Sequence, residues 1–479
     1  MRWLLAMLLA FSMIAAACGD SDDSSDDGGT DTTADGGSSD DGGSSDDGGS
    51  SDDGGSSDDG GDAMEVVTGD GVDGNVIRVG LNADLSGPFA ALVSEIVEGQ
   101  EVYWEVFNEN GGYKGFTVET VVIDSGYATD KGIQNYEEMA QEGADGVLMI
   151  TENTGSPITA AVAEQAIEDN LLLIPLSWAS LWPDPEIGAA VLEKQATYCI
   201  ESINGVEWLK DKVESEGKEA KLAILSRPGE YGEDGAAGAA IAAAELGIEI
   251  VYDGTGQVAG DDRTGVVASL VGSGATMVWT TITPGELLDI FGQAVSQGFD
   301  AYWSGNSPTF SYPVHLTSDF AEEFDQYYYQ SFYQAPWAAD VPGMETLMAE
   351  MIARRPDLNI SDVYTTGWIE GMMAETLIRA AIDEGELTRE KLVELANSGL
   401  TVDFQGLSAN QSWPPDYNEA VVRSTWIYDV DLTQFNVIPM NQVTADNPGG
   451  TGIVPLEIDY MGSVAGSYVF DGPCIEPAS

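Results

Sequence analysis

Histidine, the residue that proteins use most often for acid–base catalysis, occurs once in the 479-residue chain, at His315 in SYPVHLTS. Ser-His-Asp and Cys-His arrangements and histidine-rich zinc sites each need an imidazole at a defined place, and a lone histidine in this context indicates a structural role. The glycine-rich GTGQVAG (254–260) lacks the G-x-G-x-x-G spacing of a dinucleotide site, and no G-x-S-x-G motif is present. We therefore predict that the chain is not an enzyme and uses no cofactor or metal.

The three cysteines, Cys18, Cys199 and Cys474, lie far apart and form no C-x-x-C pair, so they cannot supply a metal knuckle. Cys18 directly follows the apolar N-terminal run and is explained by an export signal, which leaves Cys199 and Cys474 as an even pair. If the chain is exported, a disulfide between these two is the prediction. Two buried free thiols are the alternative.

The N-terminus has the pattern of an export signal. Arg2 is followed by WLLAMLLAFSMIAAA, an apolar run with the length of a signal-peptide core, so we predict a signal peptide at 1–17. The segment AAAC resembles the lipobox of bacterial lipoproteins, which implies that Cys18 is lipidated and becomes the new N-terminus. Acyl chains at Cys18 would hold the protein at a membrane. Ordinary secretion with an incidental Cys18 is the alternative.

Residues 18–74 are rich in Gly, Ser and Asp and contain SSDDGG four times in register, at 38–61. A repeat without apolar side chains has nothing to bury, so we predict a disordered acidic linker behind the lipidated cysteine. The whole chain carries 82 acidic and 17 basic residues, a formal net charge of -65, which argues against nucleic acid as a partner. Solubility and adaptation to high salt are the two explanations left open for this acidity.

From Asn75 onward, apolar strands alternate with helices in two successive α/β units. The first unit has strands at 76–82, 116–124, 146–150 and 171–177 and helices at 88–109, 130–142 and 157–169. The second has strands at 221–226, 248–254, 276–282 and 301–305 and helices at 203–216, 233–246, 263–272 and 285–297, and further helices follow at 343–354, 362–384 and 388–397. This alternation predicts two lobes, each built on a parallel sheet, with a cleft between them. Ligands of such sheets bind beyond the carboxyl ends of the strands.

The loops at those strand ends carry Ser, Thr and Asn, as in ADLSGP (83–88) and TENTGSP (151–157). Such side chains immediately before a helix are predicted helix N-caps. Several helix N-termini meeting at one edge would also suit a carboxylate or another polar ligand head. The loops therefore have both a structural and a ligand-binding interpretation.

The order of these motifs resembles the type I periplasmic binding proteins, in particular the leucine/isoleucine/valine-binding family of ABC importers. The resemblance runs from about residue 75 to 430 through IRVGLNADLSGPFA, GADGVLMI, NLLLIPLSWAS, AILSRPGEYGEDGAAGAAIAAAELGIEIV and VDFQGLSANQSW. It implies two Rossmann-like α/β lobes with parallel sheets, joined by a three-crossover hinge and closing on a small ligand without catalysis. It places lobe 1 at 75–198 plus 336–402 and lobe 2 at 199–335 plus 403–479.

The resemblance also implies a set of ligand-binding residues. These are Ser86, Leu92, Tyr127, Ser156, Ser177, Trp178, Ala179, Ser180, Tyr231 and Asn306. Asn306 stands where the family has the acid that holds an amino acid's ammonium group. An amide cannot neutralise that charge, so the ligand could equally be an amide, a carboxylate, a urea-like or an aromatic compound. Trp178, Trp182 and Trp303 could then build an aromatic box for a cationic or flat ligand, with core or rim packing as the alternative.

The function implied by the resemblance is that of an extracellular solute-binding lipoprotein. It would capture a small polar ligand, such as an amino acid or an amide, and deliver it to an ABC permease. The expected location is the outer face of the bacterial cell membrane, where the lipid anchor holds a monomer. The alternative is a surface receptor that senses its ligand and signals through a membrane partner without transport.

Overall fold

The protein is described by a computed structural model that covers residues 66–476, except Asp261, Pro415 and the side chain of Tyr417. The predicted signal peptide, Cys18 and most of the predicted linker lie outside the described residues. Residues 66–74, which the sequence assigns to the linker, already contact the folded part. The apolar side chains of Val66 and Val72 pack on the core, and the Asp70 carboxylate accepts a hydrogen bond from the Gly143 amide.

Within the described residues the strands are, in chain order, β1 (Val67–Thr68), β2 (Val72–Asp73), β3 (Val76–Ala83), β4 (Thr117–Asp124), β5 (Met149–Thr154), β6 (Leu173–Leu176), β7 (Lys221–Ser226), β8 (Glu249–Gly254), β9 (Met277–Thr281), β10 (Tyr302–Gly305), β11 (Tyr328–Phe332), β12 (Glu386–Leu387), β13 (Thr401–Val402), β14 (Gln411–Ser412), β15 (Thr425–Asn436) and β16 (Gly450–Tyr460). The helices are α1 (Ala90–Glu109), α2 (Thr129–Met139), α3 (Ser156–Glu168), α4 (Tyr198–Ser215), α5 (Glu230–Leu246), α6 (Thr264–Ser273), α7 (Pro284–Ser296), α8 (Tyr312–His315), α9 (Ala321–Tyr327), α10 (Pro342–Arg354), α11 (Tyr364–Glu384), α12 (Arg389–Ala396), α13 (Tyr417–Ala420) and α14 (Ser463–Ser467).

The first sheet contains β4, β3, β5 and β6, which are parallel in this order, and the two-residue β2 runs antiparallel to the beginning of β3. The central strand β3 has the sequence VIRVGLNA and is buried from Val79 to Ala83. Burial of consecutive residues is expected for a parallel strand that is covered on both faces. The apolar pattern of this strand therefore predicts its place in the sheet correctly.

Two glycines bring α1 and α11 into backbone contact beside the first sheet. A Cβ atom at Gly99 would lie 2.3 Å from the carbonyl oxygen of Tyr364, and one at Gly367 would lie 1.9 Å from that of Ile96. Only glycine permits this approach. The two helices are consequently packed as one closely joined pair.

The second sheet has the strand order β16-β15-β11-β10-β9-β7-β8. The strands from β8 to β11 are parallel, whereas β15 runs antiparallel to β11 and β16 antiparallel to β15. The sequence patterns indicate the parallel strands but miss β11 and the long β15–β16 hairpin. The sheet is therefore mostly, and not wholly, parallel.

The chain passes between the two sheets three times. It leaves the first sheet after β6 for α4 and β7, returns after β11 to α10, α11 and α12, and crosses again after α12 to reach β15. Two Rossmann-like α/β units joined by three crossovers are the predicted fold class, which the structure confirms. None of the helices in the described part of the chain combines the length and the apolar composition needed to cross a membrane.

Strand β5 differs from its predicted position. The apolar residues 146–150 predict the strand, but the structure places it at Met149–Thr154, with all six residues buried. Polar side chains at its end form internal hydrogen bonds: the Asn153 amide donates to Thr159 Oγ1 at 2.9 Å and the Thr154 hydroxyl to Glu152 Oε1 at 2.7 Å. Polar residues predicted as a loop therefore belong to the buried strand.

The predicted N-caps of α1 and α3 are also wrong. The residues preceding these helices, Phe89 and Gly155, make no capping hydrogen bond with their side chains. At α1 the buried Asp84 carboxylate takes this role from further upstream, accepting from the amides of Gly87 at 2.6 Å and Phe89 at 2.9 Å. A carboxylate stabilises a helix N-terminus better than a neutral side chain because it offsets the positive end of the helix dipole.

His315 has the structural role that the sequence predicts. Its ring is fully buried and stacks on Phe310, with Nδ1 2.7 Å from the Ser311 carbonyl oxygen and Nε2 3.0 Å from that of Pro284. Burial lowers the pKa of this imidazole to about 4. His315 is therefore neutral and held by backbone groups.

Candidate functional site

A cavity opens where loops of the first sheet meet helices and loops of the second. On the first side it is lined by Phe89, Leu92, Val93, Ile96, Tyr127, Thr154, Gly155, Ser156, Leu176 and Trp178. On the second side and along the crossovers it is lined by Tyr198, Tyr231, Ser307, Pro308, Phe310, Ser311, Tyr312, Gln330, Phe332, Tyr333, Asp362, Val363, Thr366 and Ile453. The space between these side chains, including the mouth, is about 840 Å³.

Aromatic rings form a connected chain through the cavity. The ring centroids of Tyr127 and Phe89 are 4.9 Å apart, and those of Phe89 and Tyr231 are 6.0 Å apart. Tyr231 continues to Tyr198 at 4.9 Å, and Tyr198 to Trp178 at 5.8 Å. The chain then continues through Tyr333 to Phe332. Because Phe89 and Trp178 follow strands of the first sheet while Tyr231 and Tyr198 lie on helices of the second, ring contacts join the two sides.

Local backbone geometry places Tyr127 and the beginning of α3 at the cavity. Tyr127 has a φ of 59°, in the left-handed region that few non-glycine residues adopt. Its ring lies over Gly155, where a Cβ atom would come within 2.7 Å of the Tyr127 Cε2 atom. Gly155 has a φ of 107° and directly precedes Ser156. Glycine is therefore required at position 155 for two reasons, the positive φ and the close approach of the Tyr127 ring.

Five of the predicted ligand-binding residues line the cavity: Leu92, Tyr127, Ser156, Trp178 and Tyr231. The hydroxyl of Tyr231 donates to the Ile282 carbonyl oxygen at 2.9 Å, so this tyrosine presents its ring and not a free hydroxyl. The Ser156 hydroxyl lies 2.6 Å from that of Ser177. The remaining five predicted residues do not line the cavity.

Three of those five lie close to the cavity wall. Ser86 is exposed and donates to Asp124 Oδ2 at 2.7 Å. Ser177 is buried behind Ser156, where its hydroxyl also accepts from Trp182 Nε1 at 3.2 Å. Ala179 is fully buried. These three residues lie outside the cavity lining, and their role in binding stays a prediction.

Ser180 contacts a buried carboxylate instead of the cavity. The backbone amide and hydroxyl of Ser180 both donate to Asp234, which also accepts from the amide of Cys199 at 3.1 Å. Cys199 and Cys474 are joined in a disulfide, and the Cys474 amide donates to Ser180 Oγ at 2.7 Å. The C-terminal segment is thereby attached next to the loop that carries Trp178.

Asn306, predicted to replace an ammonium-binding acid, is fully buried behind the cavity. Its amide nitrogen donates to the Tyr198 carbonyl oxygen at 3.0 Å and to Glu201 Oε2 at 2.8 Å, and its oxygen accepts from Thr281 Oγ1 at 2.6 Å. Glu201 also accepts from the amide of Ser307 at 3.1 Å. Asn306 therefore belongs to a satisfied internal network.

Trp182 and Trp303 do not join Trp178 in an aromatic box. Trp182 is buried in the core of the first sheet, and Trp303 is buried in that of the second, where it contacts Phe291. The aromatic surroundings of the cavity come instead from residues that sequence reasoning missed, above all Phe89, Tyr198 and Tyr333. Helix α4 begins at Tyr198, after the N-cap residue Thr197, and not at the predicted residue 203. The threonine was the sequence signal that could have placed Tyr198 at the start of this helix.

The wall carries little charge. Among the described residues that line the cavity, Asp362 is the only ionisable acid, and no lysine, arginine or histidine contributes. The Asp362 carboxylate accepts from the amide of Trp337 at 2.6 Å, and burial raises its pKa to about 6. The described residues also contain no cluster of His, Cys, Asp or Glu that could hold a metal ion.

A buried ion pair lies directly behind Trp178. The side chains of Lys194 and Glu370 are both fully buried and form a salt bridge. Gln100 Nε2 donates to Glu370 Oε2 at 3.1 Å. The Lys194 ammonium also lies 5.4 Å from the centroid of the Trp178 ring, on the side of the wall away from solvent.

A second acid accompanies this pair. Glu152 is fully buried and accepts from the hydroxyl of Thr154, which lines the cavity, at 2.7 Å. Its Oε2 atom has no hydrogen-bond partner among the described residues. Burial and then the charge of Glu370 raise the pKa of Glu152. Lys194 is thus shared by two acids in the interior.

Asp234 makes stability depend on pH. Burial raises the pKa of its carboxyl from 3.8 to about 7. The stability that the protonated Asp234 carboxyl contributes to the folded state is therefore fully present below about pH 4 and is lost as the pH rises through 7. We expect the free energy of unfolding to fall by about 2 kcal/mol between pH 5 and pH 8 from this group alone, and Asp234→Asn to remove this part of the change. Denaturant titrations at the two pH values measure it.

Asp300→Asn is the control, because Asp300 is exposed, two residues before β10. It should retain the pH dependence of the unaltered protein. If Asp234→Asn retained it as well, the buried carboxyl would not be the source.

Two mostly parallel sheets, three crossovers and a cavity walled by both halves define a two-lobed ligand-binding protein. The sequence matches the profile of the family described as "Periplasmic binding protein" over residues 76–434. The chain belongs to this family.

Known relatives agree with this assignment. A Leu/Ile/Val-binding protein homolog 3 from Brucella melitensis biotype 1 is 28% identical over 207 residues, which are 42% of this chain and 53% of that protein. The match thus spans about half the length of that relative. A fatty acid ABC transporter substrate-binding protein from Thermomonospora curvata has a TM-score of 0.73 at 25% identity, over 84% of this chain and 97% of that one. A branched-chain amino acid ABC transporter protein from Thermus thermophilus with bound valine has a TM-score of 0.66 at 18% identity, over 81% and 97%.

Proposed function

We propose that the protein is an extracellular solute-binding protein of an ABC importer, and that it captures a small molecule with an apolar or aromatic body in the cavity. The observation that carries the proposal is the chain of rings from Tyr127 to Phe332, which passes from one side of the cavity to the other. Flat apolar walls with a few polar groups favour a ligand of that kind.

This proposal changes the ligand class that the sequence predicts. A small polar ligand such as an amino acid would need charged partners for its two ends, because an unpaired buried charge is strongly destabilising. The lining offers one acid and no base. The Thermomonospora curvata relative, named as a fatty acid-binding protein, supports an apolar ligand body for this chain too.

Capture would work through closure of the two sides. The contacts of Phe89 with Tyr231 and of Trp178 with Tyr198 exist only while the sides are together. A ligand that touches rings of both sides binds the closed form more tightly than an open one, so it shifts the population towards closure. The closed form is then the one offered to the permease.

Delivery to an ABC permease and lipid anchoring through Cys18 remain part of the proposal. Cys18 lies outside the described residues, and the predicted linker would give the binding unit a reach of about 40 Å from the membrane. Mass spectrometry of the membrane fraction tests the anchor. A diacylglyceryl mass on an N-terminal Cys18 is expected, and a processed N-terminus without lipid would contradict it.

A ligand screen with two matched variants tests the binding site. Octanoate, benzoate, phenethylamine, leucine and valine are compared by thermal shift, since a ligand at a hundredfold its Kd adds about 2.7 kcal/mol of stability. We expect at least one compound with an apolar body to raise the Tm. Leu92→Trp should weaken that compound at least about tenfold, because a cavity filled by an indole cannot also hold the ligand.

The control is Leu456→Trp, which adds the same indole at an exposed position of β16 outside the cavity. It should bind as the unaltered protein does. If no compound shifted the Tm, or if Leu92→Trp and Leu456→Trp bound equally well, the proposed site would be wrong.

A further inference from the structure

The charge of the cavity wall has a definite sign. Among the described lining residues the acid Asp362 has no basic counterpart. Its oxygen atom Oδ1 accepts from the Trp337 amide, which is a neutral donor. The carboxylate is buried, with 6% of its residue surface exposed. An occupant of the cavity therefore meets one acid among the described lining residues and no base.

Two further acids lie close to the lining residues. Glu201 is 2% exposed. Its carboxylate accepts hydrogen bonds from the backbone amide of the lining residue Ser307 at 3.1 Å and from the Ser307 hydroxyl at 2.5 Å. Glu95 accepts from the Ser361 hydroxyl at 2.6 Å, next to Asp362. Burial raises the pKa of both Glu201 and Glu95, which favours their neutral forms, so these two acids bring no cation to the side of Asp362.

Two bases close to the lining residues, Lys194 and Arg227, are already paired. Lys194, behind Trp178, forms its ion pair with Glu370. Arg227 forms one with Glu286 at 2.6 Å. Neither guanidinium nor ammonium group is left to receive a ligand carboxylate. A carboxylate in the cavity would therefore face Asp362 without a positive partner, which is unfavourable in a site with little water.

The rings supply the complementary surface for a cation. Nine aromatic side chains are among the described lining residues, and the face of an aromatic ring attracts a positive charge. The Trp178 ring already makes such a contact with the buried Lys194 ammonium, 5.4 Å from its centroid. An ammonium group on the cavity side would find aromatic faces and the Asp362 carboxylate together.

We propose that the ligand of this cavity is an organic cation, an amine with an apolar or aromatic body, and that Asp362 and the surrounding rings select it over carboxylates of the same shape. This rests on the proposed function and specifies the ligand class of the same cavity. Asp362 acts as the determinant of charge, and the apolar walls determine the shape.

Two matched series test the charge preference while the body stays constant. The first is phenethylamine, phenethyl alcohol and phenylacetate; the second is octylamine, octanol and octanoate. Binding to the full chain is measured by isothermal titration calorimetry at pH 7. We expect the amine to bind at least about tenfold more tightly than the alcohol and the carboxylate in one of the series.

Asp362→Asn should reduce the affinity for the amine about tenfold and leave that for the alcohol within about twofold. Asp300→Asn, at an exposed position, removes one charge elsewhere and should change neither affinity. If the carboxylate or the alcohol bound as tightly as the amine to the unaltered protein, the proposal would be overturned while the proposed function stood. If no member of either series bound, both would fail. The comparison on the unaltered protein does not depend on the folding of any variant.

Discussion

Lys194→Met is expected to lower the free energy of unfolding by about 3–5 kcal/mol, because it leaves the Glu370 carboxylate buried without its partner. Both side chains of this ion pair are fully buried, and Gln100 supplies only one neutral hydrogen bond to Glu370. Denaturant titration at pH 7 measures the effect.

The matched control is Lys210→Met, which breaks a surface ion pair with Glu214 on α4 and should change stability by about 1 kcal/mol or less. A second comparison is the double variant Lys194→Met with Glu370→Met. Replacing a buried pair by apolar side chains of similar size is often neutral, so the double variant should be more stable than Lys194→Met alone. A double variant less stable than the single one would contradict this account.

Removing the disulfide is expected to lower the free energy of unfolding by about 2–4 kcal/mol. Cys199 and Cys474 are separated by 275 residues, so their bond closes a long loop and restricts the unfolded chain. The bond also keeps the Cys474 amide on Ser180, which in turn donates to Asp234. The variant Cys199→Ala with Cys474→Ala is compared with the unaltered protein by denaturant titration, with and without a reductant.

The reductant provides the internal control, because it can act on this bond only where both cysteines are present. It should destabilise the unaltered protein to about the level of the double variant and leave the double variant unchanged. Equal stability of the oxidised protein and the double variant would show that the bond adds nothing to folding.

The sequence predicts the fold well because most of its elements have a strong apolar pattern. Strand β3 and the helices around it follow the expected alternation within a few residues. The exceptions have physical causes. The end of β5 is polar yet buried, since its side chains bond to one another. Strands β15 and β16 have mixed exposure along their length, so no single pattern marks them.

The site is less predictable than the fold. Hydroxyl residues such as Ser177 and Ser180 occur at the expected places, but a serine serves an internal hydrogen bond as readily as a ligand. The residues that give the cavity its character are aromatic side chains from separate elements, such as Phe89, Tyr198 and Tyr333. Their convergence depends on how the two halves are joined, which no local pattern reports.

The glycine contacts between α1 and α11 have a mechanical consequence. Leu92 and Ile96 on α1 and Thr366 on α11 all line the cavity, and the two helices touch through their backbones at Gly99 and Gly367. Side chains that could slide or repack are absent at these points, so this part of the cavity should behave as a rigid plate. When the two sides close, the ligand would contact the rigid surface formed by α1 and α11, so the side chains of these two helices should determine which ligand shapes fit.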